Sequence, residues 1–139
     1  MILLDTNVIS EPLRPAGDPV VLVWLDKQDI KALHISTITL AELRFGIAVL
    51  PEGRRRTSLH SNLEQRILPL FAGRILPFDT AAAGAYADLR AEARRQGKAI
   101  APTDGYIAAI ARARGLSVAT RDTAPFNAAG LTVIDPWQS

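Results

Sequence analysis

Cysteine is absent from all 139 residues, which excludes a disulfide framework and any thiol-based site. Histidine is scarce. His34 sits in a strand-like run and His60 on a polar helical face, far apart and without metal-ligand spacing, so they read as packing and surface residues. No apolar stretch approaches the ~18 residues that cross a bilayer, and the first residues carry no basic n-region, so a cytoplasmic protein with no membrane association is expected. A glycine-rich phosphate loop is also missing, and Ser10, Ser36 and Ser117 lack the context of a nucleophile elbow. No repeat, linker or low-complexity segment is present.

A chain of this length, 48 % hydrophobic and 22 % charged, has the balance of an ordinary globular protein with room for a real core. Residues 1–139 are expected to form one domain. The net charge of +2 rests on thirteen arginines against three lysines. Arg54, Arg55 and Arg56 are consecutive, Arg94 and Arg95 adjacent, and Arg112 and Arg114 alternate. Guanidinium forks suit phosphate recognition, while the isolated arginines read better as solvated helix faces. Such a surface is in keeping with a polyanionic substrate or partner.

Apolar patterning alternates strand-like and helix-like segments, the signature of βα units around a mainly parallel sheet. Strands are expected over residues 1–5, 32–36, 74–78, 116–120 and 131–134. The third lies at or near an edge, because Pro77 cannot donate to a ladder. Helices are expected over 7–13, over 19–28 behind an Asp18 cap and Pro19, and over 38–49 and 54–71. Two more cover 81–96, behind Asp79 and Thr80, and 104–114, stopped by Gly115.

Four acids stand at separate points of this arginine-rich chain, each where an expected strand ends or a helix begins or turns inward: Asp5, Glu42, Asp104 and Asp122. Taken singly, three have structural explanations. Asp5 can cap the helix after the first strand, Asp104 can complement a helix dipole, and Asp122 can form a turn. Glu42 is harder to dismiss. Helical spacing surrounds it with Ile38, Phe45, Gly46 and Val49, an apolar stripe in which a carboxylate needs either an arginine or a cation. Ligands of parallel sheets bind beyond the carboxyl ends of the strands, where Asp5 and Asp122 both fall. Four carboxylates brought to about 5 Å repel pairwise by roughly 3 kcal/mol at an effective dielectric of about 20, so the cluster must take up protons or hold a cation. Oxygen ligands without sulfur or imidazole favour Mg2+ or Mn2+ over zinc.

Four motifs span nearly the whole chain: Ile2-Leu3-Leu4-Asp5-Thr6-Asn7-Val8-Ile9-Ser10, Thr39-Leu40-Ala41-Glu42-Leu43-Arg44, Thr103-Asp104-Gly105-Tyr106-Ile107-Ala108-Ala109 and Val118-Ala119-Thr120-Arg121-Asp122. Through them the chain resembles the PIN-domain family, and within it the toxins of VapBC-type toxin–antitoxin pairs. Ser10-Glu11-Pro12-Leu13-Arg14-Pro15, residues 67–79 and the tail Asp135-Pro136-Trp137 are similar to the FitB branch. The resemblance implies a PIN-like three-layer α/β/α fold with a central mainly parallel sheet, homodimerisation, and a Mg2+-dependent ribonuclease site, with Mn2+ as the alternative ion. It implies a ribbon-helix-helix antitoxin as partner and, through it, operator DNA. It carries the catalytic and metal-binding roles onto Asp5, Glu42, Asp104 and Asp122, with Thr6, Asn7 and Thr120 as supporting polar groups.

The implied chemistry is metal-assisted hydrolysis of RNA phosphodiester bonds, which needs no side-chain nucleophile. Two rivals are weighed against it. A haloacid-dehalogenase-type phosphatase also starts with an aspartate after its first strand, but expects a second aspartate where this chain has Asn7. A PIN scaffold that dimerises a DNA-binding antitoxin on operator DNA, with little hydrolysis of its own, is the stronger rival; the intact acidic quartet favours an enzyme.

Overall fold

Strands this short and this apolar must be covered on both faces, and the chain covers them with helices. The computed structural model describes residues 1–139. Its strands β1 (Ile2–Leu4), β2 (Leu33–Ser36), β3 (Ile75–Leu76), β4 (Ser117–Ala119) and β5 (Val133–Ile134) form one all-parallel sheet in the order β3-β2-β1-β4-β5. Seven α-helices flank it: α1 (Thr6–Ile9), α2 (Pro19–Lys27), α3 (Thr37–Ala48), α4 (Arg54–Ser61), α5 (Thr80–Arg95), α6 (Pro102–Arg114) and α7 (Thr123–Ala128). This is the expected α/β class in three layers.

Neighbouring strand residues point to opposite faces, and that alternation divides the core in two. Leu3 and Val118 pack with Leu89, Ile107, Ile110 and Phe126 of α5, α6 and α7. Leu4, Ile35 and Ala119 pack on the other side with Val8, Val21, Leu43 and Ile47 of α1, α2 and α3. The chain starts at the centre of the sheet, moves outward through β2 and β3, then crosses back to β4 and β5. The carboxyl ends of β1 and β4 therefore border the topological switch point, where open α/β sheets bind their ligands. Asp5 N–H donates to Ala119 O at 2.9 Å and ties the two strand ends together.

Caps fall where residue chemistry puts them. Asp18 accepts from Val20 N–H at 3.0 Å, Ser36 from Thr39 N–H at 3.0 Å and Asp79 from Ala82 N–H at 2.9 Å. Gly115 ends α6 in the left-handed region at φ 66°, the usual helix stop. The edge position of β3 agrees with Pro77, and Arg74 braces it by donating through Nε to Leu33 O at 3.1 Å.

Three elements differ from expectation. The helix expected over 7–13 ends at Ile9, and Glu11–Leu13 forms a 3-10 turn around Pro12, which has no N–H to continue an α-helix. The helix expected over 54–71 is α only to Ser61, then a π segment over Asn62–Ile67 and a 3-10 turn over Leu68–Phe71. Pro69 cannot donate to the carbonyl one turn back, and its ring disfavours the regular ladder there. Helix α7 was not anticipated, since its six residues include Pro125 and expose no clear periodicity. In addition, α6 starts at Pro102, so Asp104 lies inside its first turn rather than at its head.

Glu11 is a buried acid that residue patterning passes over. It is 3 % exposed, and it accepts from Asp18 N–H at 2.8 Å and from Arg14 Nη1 at 3.0 Å, closing the loop between α1 and α2. Glu11→Ala is expected to cost about 2 kcal/mol in urea denaturation, because it strands a main-chain donor beside a new void. Arg14→Ala should cost less than half of that, since the guanidinium is largely in water.

Candidate active site

Asp5 leaves β1 in extended backbone and begins α1, so one residue serves as strand end and helix cap. Thr6 N–H donates to its Oδ1 at 2.8 Å, and the Thr120 hydroxyl donates to its Oδ2 at 2.8 Å. Its residue is only 6 % exposed. Burial pushes the Asp5 carboxyl up to about 6; the hydrogen bonds from Thr120 and Thr6 pull the other way, and the charges of Asp104 and Glu42 add to the rise.

Thr120 is fully buried and connects the two central loops. Its oxygen accepts from Asp122 N–H at 3.1 Å and from Asn7 Nδ2 at 3.3 Å, while Asn7 Oδ1 accepts from Arg121 N–H at 3.3 Å. Thr6 performs the equivalent task toward α3. Its hydroxyl donates to Glu42 Oε1 at 2.6 Å and lies 3.1 Å from the hydroxyl of Thr39, which is itself completely buried. Thr39 is a supporting residue that sequence reasoning missed. The available signal was a hydroxyl one helical turn before Glu42 on the inward side of α3.

Asp104 is half-buried in the first turn of α6, and its carboxyl is raised by burial, then by Asp122, then by Glu42. Asp122 occupies the cap position of α7, yet its carboxylate caps nothing. Glu42 is not the buried residue that its spacing implied. Helix α3 turns Thr39, Leu43 and Ile47 inward, and Glu42 faces solvent together with Phe45, 70 % exposed, and Val49, 62 % exposed. Helical spacing defines a stripe, but not whether anything in the same chain covers it. No buried arginine pairs with Glu42.

The fold therefore brings Asp5 into the field of Asp104 and Glu42, and Asp104 into that of Asp122 and Glu42, with Asp5 as the floor, Asp104 halfway, and Glu42 and Asp122 at the rim. None of them forms an ion pair with lysine or arginine, since the four ion pairs of the chain lie elsewhere. The cluster is open: no three acid or histidine side chains stand close enough together to hold a metal ion as they are placed. Its donors are carboxylate oxygens alone, which suits a hard divalent cation that keeps several waters and needs only one or two carboxylates from the protein. Asp5, Glu42, Asp104 and Asp122 are the residues that could hold such an ion. Beside Glu42 runs a groove of about 810 Å³ bordered by Arg14, Arg55 and Ser58.

The sheet is all-parallel in the order 3-2-1-4-5, with Asp5 and Asp122 just beyond its first and fourth strands, the place where open α/β sheets gather ligands; the glycine-rich loop of a dinucleotide site is missing from the first turn. The PIN domain model matches residues 2–131, and the chain belongs to the PIN-domain family. It is 56 % identical over 138 residues to VapC ribonuclease Y4jK of Sinorhizobium fredii, covering 99 % of each chain. It is 56 % identical over 137 residues to toxin FitB of Neisseria gonorrhoeae, again covering 99 % of each. The solved structure of FitAB bound to an IR36 DNA fragment superposes with a TM-score of 0.95 at 54 % identity, covering 99 % of this chain and 96 % of the other.

The raised Asp5 carboxyl has a consequence for stability. Between its ordinary value of 3.8 and about 6 the folded protein binds a proton that the unfolded chain does not, so stability falls as pH rises through that window and the full penalty stands above it. In metal-free urea denaturation this group should lower stability by up to about 3 kcal/mol between acid and neutral pH. Asp5→Asn should flatten the profile across that window. Parallel profiles for the two proteins would show that Asp5 does not titrate there.

Proposed function

We propose that this chain is the toxin of a two-component toxin–antitoxin pair and acts as a divalent-metal-dependent ribonuclease. The observation that carries the reading is the buried Asp5 carboxylate at the β1/β4 switch point, bonded by Thr6 and Thr120 and in the field of Glu42 and Asp104. The names of the relatives support it, one a VapC ribonuclease and the other a toxin.

Asp5, Glu42, Asp104 and Asp122 would hold Mg2+, with Mn2+ as the alternative. When bound, the ion supplies positive charge that acidifies water and offsets the charge developing on a phosphodiester. The rest falls to the protein. Thr6 N–H and the Thr120 hydroxyl occupy one lone pair on each Asp5 oxygen and fix the plane of that carboxylate. The Thr6 hydroxyl restrains Glu42, an otherwise exposed side chain on a separate helix. Asp104 and Asp122 accept no protein hydrogen bond through their carboxylates and remain open to water or substrate. Arg14 and Arg55 border the groove beside Glu42 and suit the phosphates of an RNA strand. Hydrolysis adds water across a P–O bond directly, and no protein nucleophile takes part.

Residues 1–139 act as one domain in this reading, in the cytoplasm; no helix is long and apolar enough to cross a membrane. The partner is a ribbon-helix-helix antitoxin that brings the pair to operator DNA, a reading supported by the DNA-bound FitAB structure. A second copy of the chain is the other expected partner, and the exposed Phe45 and Val49 supply apolar surface for assembly.

The purified protein should cleave RNA in Mg2+ and stop when the ion is chelated. Asp104→Asn should slow cleavage by about 100-fold or more while the far-ultraviolet spectrum is unchanged. Equal cleavage by wild type and variant would remove Asp104 from the chemistry. A folded, metal-replete protein without cleavage would leave the scaffold role as the correct one.

A further inference from the structure

Asp104 is weakly anchored compared with Asp5 or Glu42. Thr6 and Thr120 hold Asp5, and Thr6 holds Glu42, whereas the Asp104 carboxylate makes no hydrogen bond or ion pair within the protein. Its location therefore depends on where the first turn of α6 is placed. That turn is fixed from the side by α5. A β-carbon on Gly105, which is buried, would lie 3.0 Å from Tyr86 Cε2 and 3.4 Å from Arg90 Cδ. The Tyr86 ring has little room to yield. It stacks on Tyr106 at 4.7 Å between centroids and 20° between planes, and Phe78 stands edge-on to Tyr86 at 6.0 Å and to Tyr106 at 5.2 Å. Its hydroxyl accepts from Arg90 Nη1 at 2.6 Å.

Glycine at position 105 has no conformational justification, because its backbone is ordinary α-helix and alanine is the better helix former. Close approach is what requires it. We propose that Tyr86 and Gly105 are positioning residues for Asp104. The tyrosine ring against bare backbone sets the first turn of α6 relative to α5, and so sets where the Asp104 carboxylate stands at the crevice. Phe78 and Tyr106 act through Tyr86 by holding its ring. The inference rests on the metal-dependent reading above and adds to it two residues that touch neither ion nor substrate.

The test is thermal unfolding of the full chain titrated with Mn2+ alone, with far-ultraviolet circular dichroism as the check on folding. Mn2+ raises the wild-type melting temperature by binding the folded state. Gly105→Ala gains helix propensity but overpacks the contact with Tyr86, so it should melt at or below the wild-type temperature in chelator, and, measured against its own metal-free value, it should need about tenfold more Mn2+ for the same shift. Tyr86→Phe keeps the ring and should restore the wild-type Mn2+ dependence, whereas Tyr86→Leu should lose it. In the Gly105→Ala/Tyr86→Leu double variant the added methyl meets no ring, so the combined loss should be smaller than the product of the single losses. Wild-type Mn2+ dependence in both Gly105→Ala and Tyr86→Leu overturns the proposal. So does a lowered melting temperature in chelator with unchanged Mn2+ dependence, the signature of a purely structural contact. Asp104→Asn separates the two levels. If it abolishes the Mn2+ shift while Gly105→Ala leaves it intact, positioning alone has failed; if Asp104→Asn itself shifts like wild type, the metal reading has failed with it.

Discussion

The bond from the Thr120 hydroxyl to Asp5 Oδ2 is the constraint on which the rest of the site depends. It joins the residue after β1 to the residue after β4 across the switch point, in parallel with the main-chain bond from Asp5 N–H to Ala119 O. A carboxylate as buried as Asp5 is costly unless its oxygens are satisfied, and Thr6 and Thr120 satisfy one lone pair on each. The same hydroxyl then accepts from Asp122 N–H and Asn7, so one buried threonine orients both loops that border the crevice. Removal of that hydroxyl would leave three polar groups short of a partner at once.

Electrostatics at the site follow from exclusion as much as from attraction. Thirteen arginines are available, yet none pairs with Asp5, Glu42, Asp104 or Asp122. The ion pairs that do form, such as Arg44 with Glu64 at 2.8 Å, lie away from the cluster. Negative charge is thus left unpaired along one crevice, from buried Asp5 to exposed Glu42 and Asp122, in a chain of net positive charge. Burial and mutual repulsion raise Asp5 and Asp104 above the usual carboxylate range, and this is the charge imbalance that the proposed ion, or a cationic group from a partner, would offset.

Much of the fold was legible in the residues because its signals are local. Caps at Asp18 and Asp79, the stop at Gly115 and the edge strand beside Pro77 each depend on the chemistry of one or two side chains. Errors arose where neighbours in space outweighed neighbours in sequence. The stretch from Arg54 to Phe71 has helical spacing throughout, but it passes through α, π and 3-10 geometry before Leu63 and Phe71 reach the core. Helix α7 was missed because a proline hides a six-residue pattern, although Phe126 anchors it firmly. For Glu42 the error was one of cover. Its stripe on α3 is real, but the chain lays nothing over Phe45 and Val49.

Residue chemistry alone settles which groups are available: carboxylates without sulfur or useful imidazole, two of them, Asp5 and Asp122, set just after strands where parallel sheets gather ligands. Their depth and their company come from packing in three dimensions. Asp5 becomes the floor because Leu4 and Ala119 pack a closed core beneath it, and Glu42 becomes the rim because α3 turns Thr39 inward in its place. Gly105 reads in sequence as a weak point in a helix, and in space as the clearance for the Tyr86 ring. The difference is physical. Backbone propensity and capping act over a few residues, whereas burial, carboxyl ionisation and steric clearance are set by atoms from elements that the chain separates by tens of residues.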